Sequence, residues 1–250
     1  MTCKKYKHRI NSRKALVYFG GYMTSNFLGD VRGEVRRPSA IVSASELVAR
    51  EGFNLQKGMN YRDAGGQLAV FLVLSQDSDF TDEWDEGSET YTYQGHDSTT
   101  TESGKLRDQI AMYADGRVTD NGKFFKAAHA FKDGLRREPL QVQIYEKLDP
   151  GVWFDKGIFN LTDAKQVSDS GRKVFKFFLN PAGNREGSGE SEEDYQERML
   201  SAAEKIKVWE RDRGRCAECG REEGLKFISS GPDARLACEA HTGRGKRGLL

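Results

Sequence analysis

Apolar and polar positions alternate in short blocks through most of this chain. From Tyr18 to Ala182 the blocks read as strands separated by turns. Leu68 to Leu74 is a continuous apolar run, the pattern of a strand buried on both faces. Thr90 to Tyr93 and Leu140 to Tyr145 alternate, Val152 to Phe159 is rich in aromatics, and Lys173 to Leu179 forms a further strand with Pro181 after it. Two helices interrupt. One covers Ser45 to Glu51, with Ser43 or Ser45 as its cap. The other covers Gly122 to Gly134 and carries Phe124, Phe125, Ala128 and Phe131 as one apolar stripe. Many short strands with few helices predict an α+β fold built on a strongly curved sheet or barrel.

The pattern changes after Asn180. Residues up to Glu193 are rich in Gly, Ser and Glu, which is linker composition. Ser191 then caps a predicted helix, with Asp194 at the capping-box position. Tyr195, Met199, Ala202, Ile206 and Trp209 give that helix one apolar face, and it ends near Gly214. The expected organisation is a domain over 1–182 with its core at 68–181, a linker over 183–193, and a helix with a small module over 194–250.

Net charge is only +1 over 250 residues, so any polyanion must be met by local clusters. Lys4, Lys5, Lys7, Arg9, Arg13 and Lys14 form a basic arm, and Arg235, Arg244, Lys246 and Arg247 a basic tail. Each reads equally as a phosphate-binding segment or as a solvated face. No apolar run approaches the roughly 20 residues of a membrane span. Met1 to Arg9 lacks the apolar stretch of a secretory signal, so the expected location is cytoplasmic, with no membrane partner.

Cys216, Cys219, Cys238 and His241 make C-x2-C followed by C-x2-H. Thiolates and an imidazole at this spacing suit a closed, structural tetrahedral zinc site. The alternative is three free thiols and an unrelated histidine. Upstream, an acidic run from Asp77 to Glu89 is followed by Tyr91-Thr-Tyr-Gln-Gly95. Carboxylates beside a polyanion make sense when they face something other than phosphate. A cytosine turned out of the helix offers an amino donor to such a carboxylate, and needs aromatic faces to replace lost stacking. Phe80 and Tyr93 supply two such faces; taken singly, each also reads as an ordinary core aromatic beside a solvated acidic loop.

Phe80-Thr-Asp-Glu83, Gly87 and Tyr93-Gln-Gly95 resemble, in order, the motifs of the SRA (YDG) domain. The likeness continues through Asp108-Gln109, Thr119 to Phe124, Pro139 to Tyr145, Trp153 to Phe159 and Val174 to Leu179, and so covers about 68–181. The resemblance implies a PUA-like, crescent-shaped β-barrel holding a flipped 5-methylcytosine or 5-hydroxymethylcytosine from double-stranded DNA. Phe80 and Tyr93 would sandwich the base. Glu83 would bond its Watson–Crick edge, with Asp82 nearby and Gln94 in the pocket. The segment from His96 to Arg107 would enter a groove, with Lys105, Arg107 and Asn121 as DNA contacts. Phe80, Glu83 and Gln94 replace the family's tyrosine, aspartate and threonine, so the preferred modification is not specified. His96 and His129 read as surface and helix-face residues.

Trp209 to Gly220, Leu225-Lys-Phe227, Leu236 to His241 and Lys246-Arg-Gly resemble the HNH endonucleases, in a ββα-like zinc module. An SRA domain followed by an HNH nuclease is the order of modification-dependent restriction endonucleases. These would act as homodimers and hydrolyse phosphodiesters with Mg²⁺ or Mn²⁺. The Asp-His that such a nuclease needs after Leu-x-Phe is missing: Phe227 is followed by Ile-Ser-Ser-Gly-Pro-Asp. His241, as a zinc ligand, is not free to act as a base. No catalytic residue is assigned. Three functions stand at this point: reading of modified cytosine in the nuclease lineage, a non-catalytic reader with a structural zinc finger, and a PUA-like barrel that binds RNA.

Overall fold

The computed structural model describes residues 41–52, 55–62, 68–73, 82–85, 87–97, 106–182, 195, 197, 199–228 and 234–242. The basic arm, Phe80, Lys105, the linker over 183–193, the Ser191 cap and the tail beyond Thr242 lie outside the described residues. Every described element belongs to one unit, Arg37–Leu250.

In chain order the elements are β1 (Ile41–Ser43), α1 (Ala44–Glu51), β2 (Gly58–Asn60), β3 (Ala69–Val73), β4 (Glu83–Asp85), β5 (Thr90–Gln94) and α2 (Asp120–Lys132). There follow β6 (Leu140–Asp149), β7 (Val152–Asp169), β8 (Arg172–Pro181), α3 (Ala202–Asp212), β9 (Leu225–Ile228) and β10 (Arg235–Cys238). Eight strands form one sheet in the order β2-β3-β6-β7-β8-β5-β4, with β1 added alongside β7. β3 and β6 run parallel, and the other pairs are antiparallel. Register shifts at Ile144/Tyr145, Lys147/Asp149 and Leu161/Asp163 mark bulges, which bend strands and increase twist. The sheet is curved in this way, but the expected barrel does not close among the described residues. Its edges, β2 and β4, are three residues each, and no described strand bridges them.

β3 is buried at every position, as its unbroken apolar run requires. Ala69, Phe71 and Val73 join a cluster with Phe124, Ala127 and Ala128 of α2. Val70 and Leu72 face the other way, towards Leu47 of α1. The sheet thus carries a helix on each face. α1 is capped by Ser43 in a reciprocal box with Glu46. α2 begins at Asp120 because the Thr119 hydroxyl accepts from the Gly122 N–H at 3.1 Å.

The expected single helix across Tyr195 to Trp209 is broken. Tyr195, Glu197 and Met199 are helical, Leu200 bends, and Ser201 starts α3 with a new capping box to Glu204. The two pieces pack differently: Tyr195 and Met199 join the sheet's main core, whereas Leu200, Ile206 and Val208 join a second core with Leu148, Phe154, Phe227 and Leu236.

A fully buried charge cluster ties α3 to the sheet. Glu146 of β6 accepts from Lys156 of β7 at 2.8 Å and from Lys205 of α3 at 2.6 Å. The Lys205 ammonium also lies 3.9 Å from the centre of the Phe154 ring. Removing one partner strands buried charge, so Lys205→Ala should lower unfolding free energy by about 3–5 kcal/mol. Urea denaturation reads this directly. A loss below about 1 kcal/mol, the range of an exposed pair, would show that the cluster is not what fastens α3.

Candidate functional site

β5 and the residues after it organise the site. Tyr91, Tyr93 and Gln94 are buried, while Thr90 and Thr92 are partly exposed. Tyr93 stacks on Phe71, with ring centres 4.3 Å apart and planes 29° from parallel. The Asp82 Oδ1 accepts from the Gln94 backbone N–H at 2.9 Å. Its charge acts on both neighbouring phenols: burial pushes Tyr91 and Tyr93 well up, and Asp82 adds to both shifts. Burial likewise pushes the Asp82 carboxyl up to about 7, against the opposing Gln94 N–H and Lys176 ammonium. Lys176 of β8 donates to the Gln94 Oε1 at 2.8 Å and so fixes that side chain.

Glu83 is not brought to Tyr93. It pairs with Thr92 in the β4–β5 ladder and is exposed, whereas Trp84 pairs with Tyr91 and packs on the core. Strand alternation therefore puts Glu83 on the face away from the tyrosines. The acid beside Tyr93 is Asp82.

The turn after β5 is clamped. Gln109 donates to the Gly95 carbonyl at 2.5 Å and accepts from the Phe175 N–H at 2.8 Å. Asn121 accepts from the His96 N–H at 2.9 Å and donates to the His96 carbonyl at 2.8 Å. Asn121, expected as a DNA contact, is 4% exposed, and both ends of its amide are bonded to the chain. Gly95 must be glycine, because a Cβ there would sit 2.6 Å from the Asn121 Oδ1 and 2.9 Å from the Gln109 Oε1. Asp108, the other half of the Asp-Gln pair, accepts from the Lys173 N–H at 2.7 Å. Arg107 is exposed, as a solvent-facing contact residue would be.

His96 is not a surface residue. Its Nε2 accepts from the Met59 N–H at 2.9 Å, and its ring fills the space where a Cβ on Gly58 would stand. Burial pulls the imidazole below its usual range, in keeping with an Nε2 that accepts a hydrogen bond. His129 lies on α2 as expected, its Nε2 3.1 Å from the Ala164 carbonyl. Sequence reasoning also missed Lys176 and the Glu146 cluster, because a lysine or glutamate within a strand pattern reads as a solvent-facing residue.

A half-open cavity of about 510 Å³ adjoins the clamp. Met59, His96, Tyr113, Asp120, Asn121 and Lys123 are among the residues that line it.

The second candidate centre lies beyond α3. The β9–β10 hairpin places Cys238 beside Cys216, and the ligand atoms of Cys216, Cys219, Cys238 and His241 all lie within 4.8 Å of one another. Tetrahedral zinc, with its usual bond lengths, sets S···S edges of about 3.8 Å and S···N edges of about 3.6 Å. Cys219 and Cys238 sulfurs are 3.7 Å apart, and the His241 Nδ1 is 3.5 Å from Cys216 and 3.4 Å from Cys238. The donor set and its edges fit the metal. Any helix that would complete a ββα unit after His241 lies outside the described residues.

No family model matches the chain, and no curated protein matches it. Among solved structures, the chain is similar to the SRA domain of SUVH5 in complex with fully methylated CG DNA. That match has 20% identity over 59% of this chain and 88% of that chain, at a TM-score of 0.40. KRYPTONITE in complex with mCHG DNA and SAH matches at 17% identity over 60% of this chain and 32% of that one, with a TM-score of 0.40. The DNA modification-dependent restriction endonuclease AspBHI matches at 16% identity over 55% and 67%, with a TM-score of 0.38. No helix among the described residues is long and apolar enough to cross a membrane.

The purified chain should carry one equivalent of zinc, measured by elemental analysis. Cys216→Ser should lose it and melt earlier. Protein that is metal-free as purified, and whose melting temperature ignores both zinc and chelator, would refute the metal centre.

Proposed function

We propose that this chain reads modified cytosine, 5-methyl or 5-hydroxymethyl, in double-stranded DNA by accepting the extruded base at Asp82 and Tyr93. The observation that carries this reading is the half-buried acid beside the ring: Asp82, fixed by the Gln94 N–H at 2.9 Å, its carboxyl pushed up to about 7 by desolvation. A protonated carboxyl has one donor and one acceptor. Cytosine presents an acceptor at N3 and a donor at its exocyclic amino group, and the two sets match without any buried net charge. Thymine presents the opposite order. Phe71 covers one face of Tyr93; Tyr93 is 5% exposed, so in this reading its other face opens when the base enters, and Phe80, which lies outside the described residues, is the proposed second stacking ring. The ordered resemblance to SRA motifs supports the same assignment.

The C-terminal module is proposed to be structural in this chain, in the lineage of HNH nucleases but without cutting. The favouring observation is that His241 lies within 3.5 Å of two thiol sulfurs, where it would serve as a ligand and not as a free base. No histidine stands at the nuclease position after Phe227. Plasmids of defined methylation, incubated with Mg²⁺ or Mn²⁺, should be bound and left intact; modification-dependent cuts would overturn this part.

Fluorescence anisotropy across plain, methylated and hydroxymethylated duplexes tests the base-reading proposal. Plain cytosine makes the same edge bonds and stack, so the preference rests on the 5-substituent alone: modified duplexes should bind about fourfold more tightly, what one buried methyl group or one net hydrogen bond supplies. Equal affinity for plain and modified DNA, or for unrelated RNA, would sink it.

Proton linkage gives a second test. Because the Asp82 value is raised to about 7, the matching form is present below that pH and is lost as pH rises through it. Affinity for modified DNA should therefore fall by up to about tenfold per pH unit above 7. Asp82→Asn carries a permanent donor and acceptor, so it should retain binding and flatten the profile. An unchanged pH slope in Asp82→Asn would show that another group titrates.

A further inference from the structure

The hairpin of β4 and β5 is held by a residue from far along the chain. The Tyr195 hydroxyl donates to the Glu89 Oε1 at 3.0 Å. Glu89 is the last residue of the β4–β5 turn, and its φ of 48° lies in the left-handed region that side chains with a Cβ rarely adopt. Two contacts hold it there: Asn180 of β8 donates to its carbonyl at 2.9 Å, and Tyr195 donates to its carboxylate. β5 starts at the next residue, so the direction in which the chain leaves Glu89 sets the β4–β5 register. That register pairs Glu83 with Thr92 and leaves Asp82 to accept from the Gln94 N–H at 2.9 Å. A slip of one residue would exchange the faces of the two acids.

The same helical segment meets the C-terminal module. Residues four apart on a helix share a face, and residues two apart do not. The contacts divide in that way. Tyr195 and Met199 join the core that contains Tyr91 and Tyr93. Glu197, 4% exposed, accepts from the Phe227 N–H of β9 at 2.8 Å. Phe227 pairs with Leu236 of β10, the strand that ends in Cys238, and packs in one core with Cys216 and Cys238. The hairpin that carries Cys238 is thus fastened to Glu197, and the turn that sets the β4–β5 register is fastened to Tyr195. Less than one helical turn separates the two.

Resting on the base-reading proposal, we infer that this segment is a strut through which the cysteine–histidine module positions the base site, with Tyr195 as a positioning residue for recognition. Zinc bound by the module contributes folding energy to β9 and β10. β9 holds the strut at Glu197, and the strut holds Glu89 in its turn at Tyr195. The register that presents Asp82 then depends on a metal cluster that touches neither the base nor the acid.

The first test needs no DNA. Hydrogen exchange of the full chain, read by mass spectrometry, compares zinc-loaded with EDTA-treated protein. Exchange in β5 should rise at least about fivefold on metal removal, the equivalent of one net hydrogen bond, while β3 and β6 keep their protection. Tyr195→Phe, which loses only a hydroxyl, should show a rise of about fivefold in β5 with zinc bound. The second test is rescue. Glu89→Gln and Glu89→Ala remove the same charge, but only the first keeps an acceptor for Tyr195. In fluorescence anisotropy, Glu89→Gln should behave as the unchanged protein. Glu89→Ala and Tyr195→Phe should each lose the preference for methylated over plain duplex and the fall in affinity above pH 7, because a base not held at its edge does not bury its 5-substituent. The double variant should be no worse than either alone. Exchange in β5 that ignores zinc, or that rises equally in β3, would overturn the inference, as would a Tyr195→Phe variant that keeps both the methyl preference and the pH profile. If the unchanged protein prefers no modified duplex, the base reading itself fails, and the exchange experiment alone decides whether the strut holds β5.

Discussion

A carboxylate surrounded by two lysines, with none of the three exposed to water, is the constraint on which this architecture rests. Glu146 and Lys156 lie on adjacent strands of the sheet, and Lys205 comes from α3 more than fifty residues later in the chain. Charges taken out of water are costly unless every partner is in place. The sheet therefore has a satisfied interior only when α3 is docked on it. The same carboxylate acts on the far side of the site: Glu146 is among the charges that raise Asp82. The helix that leads to the cysteine–histidine cluster and the acid beside Tyr93 are thus electrostatic neighbours through one residue.

Around the site, polar side chains that look made for a nucleic acid are used to hold the protein's own backbone. Asn121 and Gln109 spread their amides across the Gly95–His96 turn, and Asp108 secures β8. The consequence is a rigid rim around a half-open cavity, and rigidity is what a site that discriminates one substituent on a base needs.

Much of this was legible from residue pattern. The unbroken apolar run of β3, the alternation of β5 and the cysteine spacing each have a narrow physical meaning, and each element stands where that meaning puts it. Other features were not legible, for reasons that can be named. Asp82 and Glu83 are adjacent acids, and a register difference of one residue sends a side chain to the opposite face of a strand. Nothing in the composition of that loop sets the parity; the pairing of Glu83 with Thr92 does. An asparagine or histidine declares its donors and acceptors but not whether they will meet protein or ligand, which is why the hydrogen bonds of Asn121 and His96 to the chain were not legible. The amphipathic stripe from Tyr195 to Trp209 runs straight across a helix break. There the signal was present: Ser201 and Glu204 form a capping box inside the stripe.

The outer face of β4 has a further effect. Glu83 and Asp85 stand exposed on a three-residue edge strand, with Glu89 exposed in the turn that follows. An edge so short and so negative resists annealing to another strand. It also repels any duplex that drifts towards it, over roughly the 8 Å Debye length of physiological salt. A polyanion arriving at this sheet would be turned aside along this border.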